Sequence, residues 1–246
     1  MNVDSASASQ LRSDPGILEY EDLRRPGRSQ VADAGIYLTL TAVAAQTVLH
    51  VLNVAFSADI RSIDVNGEYT LFAWLASVVI FAAALACVLL AVLGLGRKGF
   101  LLPLAGLIAF LSLDEAAVIH ERIGLRVVAL LDLSPSWDSI IWPVLYLPLL
   151  VTVLILLVLE SRRGPELTSL LVLLGLGCLA AAVGAELASS PYSTAEGGLP
   201  HAIEGAAEEA LELGGWGLIA TGLLSWLAES REQLASTAQP RLVSRS

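Results

Sequence analysis

Charged side chains are scarce in this chain. Lys, Arg, Asp and Glu together make up 15% of its 246 residues, where a soluble domain carries about 25%. That shortage excludes an ordinary water-soluble globule. Cysteine is nearly absent, with only Cys87 and Cys178, so no disulfide framework or paired-cysteine redox motif is expected. Both cysteines read as small apolar packing residues in mid-span. No apolar stretch follows a charged start near the N-terminus, so no cleavable signal peptide is expected. Histidine is also rare: the three present, His50, His120 and His201, each fall within or beside an apolar run.

What the chain has instead is apolar length. Hydrophobic residues make up 55% of it, and the mean hydropathy is +0.71. The apolar residues fall into six runs, near 35–57, 70–95, 99–121, 138–160, 166–188 and 205–228. Each reaches the roughly 20 residues that a helix needs to cross a hydrocarbon core about 30 Å thick. The connections between them are short and polar. The fold class expected is an all-α integral membrane protein, a six-transmembrane-helix bundle with disordered polar tails. Residues 1–33 form an N-terminal tail, 34–230 the membrane domain and 231–246 a C-terminal tail.

Charge fixes the expected orientation. Eleven basic residues fall on the side of the two termini, among them Arg97, Lys98, Arg162 and Arg163, and only Arg61, Arg122 and Arg126 on the other. The positive-inside rule then places both termini in the cytoplasm and the protein in the plasma membrane as a multi-pass chain. Fourteen acids share the outer side with those three bases, leaving it near −11, so the whole net charge of −10 sits there. A negative mouth attracts cations and repels anions, which argues against nucleic acid as a partner.

Ionisable groups also enter the spans. The third run ends with Asp114, Glu115, His120 and Glu121, and the sixth begins with His201, Glu204, Glu208, Glu209 and Glu212. An acid at the centre of a membrane helix costs roughly 3 kcal/mol on insertion scales, so such groups are rare unless they bind or move something. At about 100° per residue, His201, Glu204, Glu208 and Glu212 fall within an arc of about 80°. On a continuous third helix Asp114 and Glu121 nearly superimpose, flanked by Glu115 and His120. In the first run, Thr39, Gln46, His50, Asn53 and Ser57 share one stripe. Lipid does not accept such stripes, so helices 1, 3 and 6 are expected to surround one outward-opening polar cavity. Glu186, Asp138 and Trp142 are placed at its rim. Pro143 and Pro148 should kink the fourth helix, glycine pairs should allow close helix approach, and Trp226 should anchor at the inner interface.

Imidazole with carboxylate is the ligand set of a divalent transition metal such as zinc, iron or manganese. His120, Glu121, His201 and Glu208 are the first candidates as ligands, with His50 and Glu115 next. The order of His and Glu does not match the Glu-x-x-His motif of di-iron bundles. Glu204, Glu212 and Asp114 would support the ligands or act as general base on a metal-bound water. The leading expectation is metal-dependent chemistry, by a hydrolase or an oxidoreductase, on a lipid or apolar small-molecule substrate held in the lipid bilayer. The alternatives are a proton- or cation-coupled transporter, or a subunit of one, and a non-catalytic scaffold. Haem held by His50 and His120 fits poorly among so many carboxylates. A homo-oligomer is compatible with each of these readings.

Overall fold

The computed structural model describes residues 28–58, 60–64, 70–134, 137–189 and 199–238, and among these there is no strand. In chain order the elements are α1 (Arg28–Ala55), a 3-10 turn (Arg61–Ile63), α2 (Leu71–Val92), α3 (Lys98–Ala117), α4 (Ile119–Leu130), α5 (Asp138–Ser161), α6 (Glu166–Ser189) and α7 (Leu199–Ala238). Six of these helices, all but α4, are long and apolar enough to cross a membrane. Helix α1 starts before the expected boundary of the membrane domain, and α7 runs past it to Ala238.

Helix α7 is the central element. Of its most apolar window 67% is buried, against 11% for α1, and it packs on α6, α1 and α2. Small residues make that closeness possible. A Cβ added at Gly175 would stand 2.5 Å from the Gly215 carbonyl oxygen, so the α6 and α7 backbones nearly touch there. Thr168 Oγ1 donates to the Gly222 carbonyl at 3.1 Å, a second tie between the same helices. Helix α2 is lined with alanine on its buried side (Ala76, Ala83, Ala84, Ala86, Ala91), with Cys87 among them. It lies against α3, where Ser112 Oγ donates to the Ser77 carbonyl at 2.8 Å. The apolar core runs from Ile80 and Ile108 through Leu101, Leu104 and Leu157 to Ile219 and Leu223.

Three expectations are corrected here. The third run is not one helix to residue 121. It breaks at Val118, whose φ of 52° and ψ of 46° are left-handed, and α4 leaves in a new direction with Glu121 in its first turn. Asp114 and Glu121 therefore do not share a helical face. Secondly, α1 packs chiefly along α7, because Gly35 and Gly217 each admit a threonine of the other helix, Thr221 and Thr39. It does not join α3 around a common cavity. Thirdly, Trp226 is buried, seated against Gly96 and Gly164, where it packs the core instead of anchoring at a surface.

Helix α5 continues through Pro143 and Pro148. At the end of the bundle that holds the α2–α3 connection, the buried Glu160 carboxylate accepts from Arg97 Nε at 2.5 Å and from the Arg97 backbone N–H at 3.1 Å.

Candidate functional site

The break at Val118 builds the site. Helix α3 ends with the Val118 N–H donating to the Asp114 carbonyl, and α4 starts with its first N–H groups lacking helical acceptors, as every helix start does. The buried Asp114 carboxylate fills that need: its Oδ1 accepts from the His120 backbone N–H at 3.0 Å. A carboxylate placed there also meets the positive end of the α4 dipole. Its Oδ2 lies 2.6 Å from His120 Nδ1, and Oδ1 accepts a third bond, from the Tyr146 hydroxyl of α5, at 2.7 Å. One carboxylate thus ties together α3, α4 and α5.

Aromatic rings enclose the imidazole. The Trp142 ring centroid is 4.6 Å from that of His120, and the Tyr146 centroid is 6.1 Å away. Trp142 and Tyr146 meet nearly edge to face at 79°. The indole N–H of Trp142 is fixed by Glu186 Oε1 of α6 at 2.6 Å. Burial disfavours the charged imidazole, but the hydrogen bond and charge of Asp114, with the charges of Glu121 and Glu115, outweigh it. His120 is held above its ordinary value of 6.5.

Beside this group lies a cavity of about 110 Å³, to which α2, α3, α4, α5, α6 and α7 all contribute. Its polar lining is Asp114, Glu115, His120, Tyr146 and Glu212, with Trp142 and Trp216, and among the described residues no lysine or arginine faces it. Of the candidates named from sequence, Asp114, Glu115, His120 and Glu212 converge here. Glu208 and Glu209 stand within about a turn of Glu212 on α7 but outside the lining, and Glu204 is exposed. Glu121 lies in the first turn of α4, also outside the lining.

His50 belongs to a different place. It is fully buried on α1, with Nδ1 3.5 Å from Asp64 Oδ1 in the segment after that helix. The Asn53 side chain fastens the same segment through both the N–H and the carbonyl of Ile60. His50 and Asn53, two members of the α1 stripe, thus tie down that helix's own connection. His201 falls in α7, but its side chain, like that of Asp138, lies outside the described residues. Among the described residues no three of His, Cys, Asp and Glu come close enough together to hold a metal ion.

Tyr146 is not among the candidates that the sequence offers, and Trp142 is expected there at the rim, not in the cavity wall. Their signal was present as a one-turn spacing, since residues four apart share a helix face, but aromatics near a helix end read equally well as interfacial anchors. No curated protein and no solved structure matches this chain. One family profile does match, over residues 35–227, which takes in most of the first and last spanning helices, all of the others and the whole cavity lining: the chain belongs to the family defined by the domain of unknown function DUF8692.

Proposed function

We propose that the protein binds a cation in this cavity from the extracytoplasmic side, as a cation-coupled carrier or a subunit of one. The observation that carries the reading is the lining: among the described residues it has three carboxylates and no lysine or arginine. Carboxylates withdrawn from water need a compensating positive charge. Here Asp114 is engaged by His120 and Tyr146, which leaves Glu115 and Glu212 to meet the cation. The basic residues, eleven on the side of the termini and three on the other, support an outward-facing mouth. The excess of acids on that side would concentrate cations there.

The test is binding and flux in proteoliposomes. A cation step should give a saturable transient current in the wild type, much reduced in Glu212→Gln, with both proteins showing the same secondary structure. If neither inorganic nor organic cations give a current or shift the thermal midpoint, the reading is wrong.

A second reading keeps the metal-dependent enzyme. It is favoured by one detail: Asp114 occupies Nδ1 of His120, the arrangement by which a supporting carboxylate orients a metal-binding imidazole and leaves Nε2 as ligand. Glu115 and Glu212 would have to move in to complete such a site. Elemental analysis of the purified protein tests it: about one equivalent of zinc, iron or manganese, lost in His120→Ala, is the expected result.

A further inference from the structure

The aromatic share of the lining narrows the class of cation. We propose that the cavity takes a compact organic cation, a methylated amine or quaternary ammonium group, held by Trp142, Tyr146 and Trp216 together with Glu115 and Glu212. This rests on the cation-binding reading and specifies its ligand.

Three observations lead to it. The first is the composition of the wall. Trp142, Tyr146 and Trp216 line the same space as the carboxylates, and ammonium groups are attracted to aromatic faces within about 6 Å of the centroid, most strongly by tryptophan. The polar tips of two of these rings are already engaged, the Trp142 N–H by Glu186 and the Tyr146 hydroxyl by Asp114. What they offer a ligand is therefore ring carbon. The rings cross at 79° with centroids 6.1 Å apart, and the His120 imidazole lies against both, so a ligand meets the ring surface that they leave toward the cavity.

The second is the spacing of the acids. A divalent metal needs several donors at about 2.0–2.5 Å, and no three candidate ligands among the described residues converge in that way. An alkylated ammonium spreads its charge over a larger surface and is held at van der Waals distance, so it does not require that convergence. Its methyl groups also suit the remaining wall of Ile80, Leu111, Leu150, Leu179 and Val183, which offers a strongly hydrated metal ion nothing.

The third is size. The cavity measures about 110 Å³, and a dry cavity of about 150 Å³ admits benzene. The ligand is then of about benzene's bulk or less, a range that runs from methylammonium up to tetramethylammonium, the bulkiest ion such a space suits.

The experiment is equilibrium binding of radiolabelled tetramethylammonium to the full-length protein in detergent. Competitors are methylammonium, tert-butanol as the neutral analogue, sodium, zinc and manganese. Saturable binding, displaced by methylammonium and not by tert-butanol, is expected. Loss of a desolvated cation–π contact should weaken it about tenfold or more in Trp142→Leu. Trp142→Phe should fall between Trp142→Leu and the wild type, and it keeps the proposal testable if the leucine variant does not fold. Glu212→Gln should weaken binding comparably. Binding of zinc, manganese or sodium with none of either ammonium ion would overturn this inference and leave the cation-site reading standing. Binding of no cation at all, or displacement by tert-butanol as effective as by methylammonium, would overturn both.

Discussion

Asp114 grips His120 twice, through the backbone N–H at 3.0 Å and through ring Nδ1 at 2.6 Å. The two contacts join a folding problem to a chemical one. The first satisfies the start of α4 after the chain turns at Val118. The second sets the orientation of the imidazole at the cavity wall and selects Nε2 as the nitrogen free of that carboxylate. The same side chain therefore makes the break in the third span tolerable and aims the group that the break presents.

Replacing Asp114 should show both roles. Asp114→Ala leaves the His120 N–H and the Tyr146 hydroxyl without their acceptor in a buried setting, at about 1–3 kcal/mol for each such group. Asp114→Asn still presents one carbonyl oxygen and should cost less. Unfolding in mixed micelles should rank wild type above Asn above Ala. An Ala variant as stable as the wild type would mean the carboxylate does not hold the break together.

The strain at Val118 can be read by comparing two variants. A β-branched residue at φ 52° occupies a region that costs non-glycine residues about 1–2 kcal/mol. Val118→Gly and Val118→Ala both remove the buried side chain, so their difference isolates the backbone. Glycine should exceed alanine in stability by about 1 kcal/mol, the reverse of the order at an ordinary helical position. Alanine the more stable of the two would place Val118 in continuous helix.

That break explains where the sequence was silent. The six spans follow from run length and from the alternation of basic residues, which lipid and membrane insertion enforce strongly. The stretch Asp114–Glu121 contains no Gly or Pro to mark an interruption. The cap that sustains the break is a tertiary arrangement, completed by Tyr146 from another helix. His50 shows the complementary failure. Helical phase shows that a stripe must face protein but not what it meets there: α1 lies on α7, as the sixth span was expected to receive it, yet His50 meets Asp64 and not the cavity. Glu115 and Glu212 were legible because charge without a basic neighbour inside a span demands an inward position.

The pH dependence of stability is set in part by His120. Asp114, Glu115 and Glu121 face its ring as charges, with Trp142 and Tyr146 packed beside it. Its folded pKa is raised above 6.5, so the folded state binds the proton more tightly and the slope of stability against pH is negative. Below about pH 6.5 the ring is protonated in both states and its contribution is complete. As pH rises the unfolded chain loses its proton first, and the contribution vanishes once pH passes the folded value. The stability difference between wild type and His120→Gln should therefore be largest in mild acid and shrink into alkali. A difference that grows with pH would reverse the assignment.

At the opposite end of the bundle, Arg97 and Glu160 offer a second electrostatic test, far from the cavity lining. The carboxylate is 1% exposed and the arginine 34%, so the two partners are unequal. Arg97→Ala leaves a charge buried without its partner, which costs about 3–5 kcal/mol in such pairs. Glu160→Gln leaves the arginine free to reach solvent, and the amide oxygen can still accept from the Arg97 backbone N–H, so its cost should be smaller. In the double variant the buried charge is gone, and stability should recover toward that of Glu160→Gln alone. A chemical-denaturation cycle in micelles measures all four proteins. An Arg97→Ala variant within about 0.5 kcal/mol of wild type, as for a plain surface substitution, would show that the ion pair is not what fastens the α2–α3 connection to α5.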